Sequence, residues 1–256
     1  MLPKTEVKYI QSLSQKKSRI EYGQFVAEGP KLVQELLKRR PGWLKKIYAT
    51  SDWWLSQPAQ FQNKFKKYFT EVTGFELEKI SNLQTPQDVV AVAALPSVTF
   101  QHPLSTAATI LLVLDGIQDP GNMGTIIRTA HWFGVSQVLC SLDCADVYQP
   151  KTVQASMGSI FSVEVFYEDL IHFFSENKLP VYGALLSGKP PDGYKAQGNA
   201  IIVIGNEGQG IRPQLIPFIN HPVTIPGLGD AESLNAAIAT GILLYSFTRR
   251  IVSFPG

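Results

Sequence analysis

Leu111-Leu112-Val113-Leu114-Asp115-Gly116-Ile117-Gln118-Asp119-Pro120-Gly121-Asn122-Met123-Gly124-Thr125-Ile126-Ile127-Arg128-Thr129-Ala130 passes from an apolar run through a polar turn into a helical pattern. A continuous apolar run predicts a strand covered on both faces, as in a parallel sheet between helical layers. Further runs at 110–114, 138–140, 163–166, 181–186, 201–204 and 223–225 alternate with helical stretches, which extends the α/β expectation over the rest of the chain. Open sheets of this class hold ligands beyond the carboxyl ends of their strands, so the turns that follow the runs are the places to search.

In the helix of the opening stretch, Gly124 and Arg128 are four residues apart and share a face, so Arg128 can lean over accessible backbone. Asn122 stands where a cap would, and its plain alternative role is to cap the helix while Arg128 pairs with an acid. A second stretch, Ile201-Ile202-Val203-Ile204-Gly205-Asn206-Glu207-Gly208-Gln209-Gly210-Ile211, places three glycines in six positions with Glu207 as their one charge. Such a loop folds tightly around something. The third, Val223-Thr224-Ile225-Pro226-Gly227-Leu228-Gly229-Asp230-Ala231-Glu232-Ser233-Leu234-Asn235, again runs from strand to flexible loop to helix, with Ser233 as a good N-cap.

Other chemistries fit less well. The acid among the glycines and the missing Lys-Ser/Thr pair oppose a P-loop, and the glycine spacing reverses the dinucleotide fingerprint, although Asp230 lies at a suitable distance for one. Ser233 has no neighbouring His to act as its base. Cys140 and Cys144 are too few for a disulfide framework, and no His cluster makes a metal site with either, so no metal is expected.

The net charge of +2 conceals an asymmetry: residues 1–100 hold 15 Lys/Arg and 9 Asp/Glu, whereas residues 101–256 hold 8 and 12. A basic front suits contact with a polyanion, and the plain alternative is a set of solvated helix faces. Here an amphipathic pattern over 7–13 leads into Lys16, Lys17 and Arg19; 25–27 and 47–49 read as strands; and a helix over 31–40 follows Pro30. The run 88–95 closes a small α/β unit, and the proline-bracketed segment after it reads as a linker. The expected domains are therefore 1–95, a linker 96–106 and 107–256. A last helix over 234–250 carries Ala236, Ala237, Ala239 and Gly241 on one side, where a second subunit's backbone can come close. The amino terminus lacks the apolar core of a signal peptide and no apolar run reaches about 20 residues, so neither export nor a membrane is expected and the cytoplasm is the default.

Taken in order, Asn122-x-Gly124-x-x-x-Arg128, Gly205-Asn206-Glu207-Gly208-x-Gly210, and Ile225-Pro226 followed by Ser233-Leu234-Asn235 resemble the three-motif signature of the SpoU/TrmH family of the SPOUT class. Phe25-Val26-Ala27-Glu28-Gly29-Pro30-Lys31 resembles the substrate-binding domain that many members carry in front. The resemblance implies a SPOUT α/β fold, a mostly parallel sheet with helices on both faces and a trefoil knot, behind a small α/β substrate-binding domain. It implies transfer of a methyl group from S-adenosylmethionine to a ribose 2′-hydroxyl of structured RNA, with ribosomal RNA favoured over transfer RNA, by a homodimer paired through its carboxy-terminal domains.

For the site, the resemblance implies that the cofactor is held largely by backbone at Gly205, Asn206, Gly208, Gly210, Ile225 and Leu234, together with Leu185. It assigns the chemistry to Arg128, supported by Asn122, Glu207, Ser233 and Asn235. A guanidinium stays protonated at ordinary pH and is an unusual base, so an alternative role for Arg128 is to clamp the neighbouring phosphate while another group or water takes the proton. Glu207 either organises its loop or attracts positive charge. The front domain would meet phosphates through Lys8, Lys16, Lys17, Arg19, Lys31, Lys38, Arg39 and Arg40, with Tyr9 and Tyr22 near enough to stack on bases. The chain departs from the family pattern at Gly227, where members commonly have methionine after the proline; this touches cofactor affinity more than reaction type. Rival readings are a transfer-RNA enzyme, an RNA-binding protein that keeps the fold without catalysis, and a nicotinamide-dependent oxidoreductase.

Overall fold

The computed structural model describes residues 1–97, 99–100, 109–194 and 198–251, with the side chains of the last two left aside. Most of the expected linker, 98 and 101–106, lies outside the described residues. The chain divides into two compact units, one of Met1–Val98 with Asp146–Phe161 and one of Thr99–Ala145 with Ser162–Gly256.

In the first unit the elements run α1 (Lys4–Ser12), α2 (Lys16–Tyr22), β1 (Gln24–Glu28), α3 (Pro30–Arg39), β2 (Leu44–Ala49), α4 (Ser51–Leu55), α5 (Ala59–Phe65), β3 (Phe69–Glu71), α6 (Gly74–Ile80) and β4 (Val89–Ala94). Among the described residues four strands form a sheet in the order β1-β4-β2-β3. The last strand in sequence is thus central, which explains why Val89 to Ala93 are buried throughout. Ile10, Leu13, Val26, Tyr48, Leu77, Ile80, Val90 and Val92 fill one core, each branched side chain contributing about 1.5–3 kcal/mol on burial. Residues 146–161 join this unit from deep within the sequence of the other. Phe25 packs against Tyr148 and Phe161, with centroids 4.8 and 6.4 Å apart.

The remaining elements are β5 (Ile110–Leu114), α7 (Pro120–Trp132), β6 (Gln137–Ser141), α8 (Pro150–Ala155), β7 (Glu164–Glu168), α9 (Leu170–Glu176), β8 (Val181–Lys189), β9 (Ala200–Ile204), β10 (His221–Val223) and α10 (Ala236–Ile251). All but α8 lie in the second unit. Its described strands form one parallel six-stranded sheet in the order β10-β8-β9-β5-β6-β7. β5 and β9, the two central strands, are buried at every position, as continuous apolar runs require.

Three local expectations are corrected. The α7 cap is Asp119, whose Oδ1 accepts the Asn122 N–H at 2.8 Å, and Pro120 occupies the first helical position where its missing donor is harmless. β10 covers His221–Val223, two residues earlier than the apolar run, because the chain leaves the sheet once Thr224 has bonded to the end of β8. α10 starts at Ala236 and is capped by Asn235, whose Oδ1 accepts from Ala237 N at 2.9 Å and Ile238 N at 3.3 Å, so Ser233 is not its cap.

Candidate active site

From β5 the chain proceeds to β6 and β7 on one side, then crosses back so that β9 pairs with the other edge of β5. The turns after β5 and β9 therefore sit side by side at the point where strand order reverses, the usual crevice for ligands in open α/β sheets.

The turn after β9 is built largely by its own backbone. Asn206 and Gly210 exchange N–H to carbonyl bonds of 3.0 and 2.8 Å, while Asn206 Oδ1 accepts from Gly208 N (2.9 Å) and Gln209 N (3.2 Å). Asn206 Nδ2 donates to the Gly116 carbonyl at 2.9 Å, tying the turn to the one after β5. The side chain of Asn206 thus holds the loop. A Cβ at Gly205 would lie 2.2 Å from the Gly210 carbonyl carbon and 2.3 Å from Ile211 N, so this glycine is required first by closure of its own loop.

At the tip of this loop stands Glu207. Its Oε1 accepts from Asn122 Nδ2, from Asn235 Nδ2 at 3.1 Å and from Ala236 N at 3.4 Å; Asn235 Nδ2 also reaches Asn122 Oδ1 at 3.0 Å. Ser233 Oγ donates to the Glu207 carbonyl at 3.4 Å. Residues from distant parts of the sequence thus converge through one carboxylate, whose acceptor-only oxygens suit three N–H donors. The Glu207 side chain thus bridges the starts of α7 and α10.

Arg128 stands apart from that cluster. It lies six residues beyond Asn122, about 9 Å along the helix axis at 1.5 Å per residue. Its side chain is exposed and forms no hydrogen bond or ion pair with the described residues, so its five N–H donors face outward.

A second ionic cluster underlies the site, and sequence reading misses it. Asp115, fully buried at the end of β5, accepts from Arg212 N (2.8 Å) and Nε (2.5 Å), and the guanidinium also contacts Asp143 at 3.2 Å. The Ser141 hydroxyl donates to Asp143 Oδ1 at 2.7 Å and is the main reason that the Asp143 carboxyl titrates below its ordinary range. The same Ser141 Oγ accepts the Gly116 N–H at 2.9 Å. Burial pushes the Cys140 thiol up, while hydrogen bonding, chiefly with Cys140, lowers Cys144 to about 7. The only signal available beforehand was a charge directly after an apolar run and another after the glycine loop.

Of the residues expected at the cofactor, Gly205 directly follows β9, Ile225 lies just past β10, Leu185 is within β8 and Leu234 lies just before α10. Leu185 and Ile225 are half-buried and Leu234 is exposed. Pairing of β8 with β10 jumps from Gly183–Pro222 to Lys189–Val223, so residues 184–188 bow out of the ladder. The bow is held where Thr224 Oγ1 donates to the Leu185 carbonyl at 3.0 Å and Thr224 N donates to the Lys189 carbonyl at 3.0 Å. Gly188 is needed there, because a Cβ would meet the Pro222 carbonyl oxygen at 2.3 Å. Among the described residues no group of three His, Cys, Asp or Glu side chains is placed to hold a metal ion.

In the first unit Lys8, Lys16, Lys17, Lys31 and Lys38 are exposed. Arg19 is not available to phosphate: it is 2% exposed, donates to the Leu13 and Ser14 carbonyls at 2.9 and 2.8 Å, and pairs with Asp146 at 2.6 Å. Arg40 is partly committed, with Nε on the Phe161 carbonyl at 3.1 Å and its guanidinium 5.3 Å from the Trp43 ring centroid. Arg39 pairs with Glu35 at 2.7 Å on the surface. Tyr9 packs edge-on against Tyr22, centroids 5.1 Å apart, and bonds to Gln24, which commits it to the fold, while Tyr22 stays about half exposed.

Comparison with known proteins matches residues 109–245 to the SpoU rRNA methylase family and residues 4–91 to the MRM3-like substrate-binding domain. A 23S rRNA (guanosine(2553)-2′-O)-methyltransferase, RlmP, of Bacillus subtilis is 34% identical over 244 residues, which cover 94% of each chain. An S-adenosylmethionine-bound rRNA methyltransferase from Sinorhizobium meliloti superposes with a TM-score of 0.86 at 31% identity, covering 99% of this chain and 98% of that one. The SpoU methyltransferase AviRb from Streptomyces viridochromogenes, at 22% identity and a TM-score of 0.82 over 97% of this chain and 98% of its own, shares the fold.

Proposed function

The chain belongs to the SpoU rRNA methylase family, and from that premise we propose that it transfers a methyl group from S-adenosylmethionine to a ribose 2′-hydroxyl of ribosomal RNA. The observation that carries this reading is the convergence of Asn122, Glu207, Ser233 and Asn235 at the strand-order reversal, with an exposed Arg128 further along α7.

The cofactor supplies an electrophilic methyl carbon on a sulfonium. Leu185 within β8, Gly205 directly after β9, Ile225 just past β10 and Leu234 ahead of α10 offer it apolar surface and backbone groups. The family resemblance implies a trefoil knot, made by the carboxy-terminal part of the chain, that cradles the cofactor. The ribose oxygen forms a bond to the methyl carbon as the carbon–sulfur bond breaks, and the hydroxyl proton departs. An in-line displacement depends on alignment, which the Glu207-centred joint provides by fixing the two helix starts. Arg128 takes the proton or clamps the adjacent phosphate.

Exposed lysines of the first unit anchor the RNA by counterion release. The preference for ribosomal RNA rests on the likeness of residues 4–91 to the MRM3-like substrate-binding domain. We further read the exposed apolar stripe Ile238, Ile242 and Tyr245 on α10, with Trp132 on α7, as the face through which two copies pair. No described helix is long and apolar enough to cross a membrane, and we place the chain in the cytoplasm. The test is Arg128→Ala: turnover should fall by about 10³-fold or more while S-adenosylhomocysteine affinity is retained. Near-normal turnover refutes the role of Arg128.

A further inference from the structure

Asp115 and Arg212 take no part in the chemistry above, yet they control the loop that carries Glu207. Asp115 N–H donates to the Ile204 carbonyl at 2.9 Å, where the loop leaves the sheet. The Asp115 carboxylate accepts the Arg212 N–H at 2.8 Å, where the loop returns. One residue of β5's end therefore grips both ends of the loop.

We propose that Arg212, anchored on Asp115, is a positioning residue that locks loop 205–211 against the start of α7 and so sets cofactor affinity and turnover. The inference rests on the methyl-transfer reading. A carboxylate with a fully buried side chain demands strong donors, and both of its oxygens receive them from Arg212, through the backbone N–H and through Nε. The guanidinium then extends to Asp143, which the Ser141 hydroxyl holds in place, so the turn after β6 braces the far side. The backbone bond alone would tether the loop end. The planar fork adds orientation, which an ammonium on a flexible stem does not reproduce. Arg212 is half exposed, so its replacement removes little core.

The test uses the full chain with Arg212→Gln and Arg212→Lys, measuring S-adenosylhomocysteine binding, RNA binding, kcat and Tm. For Arg212→Gln, S-adenosylhomocysteine affinity and kcat should each fall about tenfold while RNA affinity stays within about twofold, with Arg212→Lys falling between it and the unsubstituted protein. Combined with Glu207→Gln, the two losses in kcat should multiply to less than their product, because both act on the same carboxylate position. S-adenosylhomocysteine affinity and kcat unchanged in Arg212→Gln, or fully multiplicative losses in the double variant, overturn the proposal. Should Arg212→Gln not fold, Arg212→Lys with unchanged affinity and kcat overturns it equally. An unsubstituted protein that fails to bind S-adenosylhomocysteine sinks the methyl-transfer reading itself, and this inference with it.

Discussion

The turns after β5 and β9 are bound to each other by side chains, through Asn206 to Gly116, Arg212 to Asp115 and Asn122 to Glu207. The loop after β10 is different: residues 226–235 are exposed throughout, and its bonds to the neighbouring turns gather at its far end, on Ser233 and Asn235. One half of the site is preformed and the other is open. The contrast suits a reaction in which alignment must exist beforehand, whereas two large ligands must still enter.

Breaking the preformed half has the larger effect. Glu207→Ala leaves the amides of Asn122 and Asn235 without their shared acceptor, and kcat should drop about 10²-fold in steady-state methylation assays, with RNA binding retained. A loss below about threefold would show that the joint is not needed for alignment.

The first unit offers a sharper contrast between cations of the same charge. Lys16→Glu with Lys17→Glu should weaken RNA binding about tenfold at low salt and flatten its salt dependence. Arg19→Ala should instead cost about 2–4 kcal/mol of stability by stranding Asp146, leaving RNA affinity within about twofold. Denaturant titration and filter binding on both variants separate the two roles.

In the open half a substitution should act gently. A Cβ at Gly227 would have nothing within 4 Å, and the backbone there has no positive φ, so Gly227→Met meets no strain. By restricting the loop it should tighten S-adenosylhomocysteine binding about two- to fivefold, read by calorimetry. A weaker complex would mean that the glycine itself is required.

Much of this arrangement was legible from residue order. The runs that became β5, β6, β7, β8 and β9 were continuous because both sheet faces are covered, and the glycine pattern at 205–210 marked a tight loop. Caps were harder: Asn122 and Ser233 stood where caps would, but Asp119, followed by Pro120 at the first helical position, and Asn235 hold those roles. Long-range pairing was invisible. Arg19 stands in a basic run that looks solvated, and only Asp146, 127 positions away, draws it inside. The Asp115–Arg212 contact spans 97 positions, and no local period reports it. The return of residues 146–161 to the first unit has the same character, because Phe25 and Tyr148 meet only once both segments are folded.

A ribose 2′-O-methyl group removes the nucleophile that cleaves the neighbouring phosphodiester in alkali, so the modified linkage survives as an intact dinucleotide. The decisive measurement is therefore incubation of the purified chain with methyl-labelled S-adenosylmethionine and ribosomal RNA, followed by complete alkaline hydrolysis. The account predicts label in one alkali-resistant dinucleotide and none with Arg128→Ala. Label on mononucleotide bases, or no transfer to RNA in any state of assembly, would contradict it.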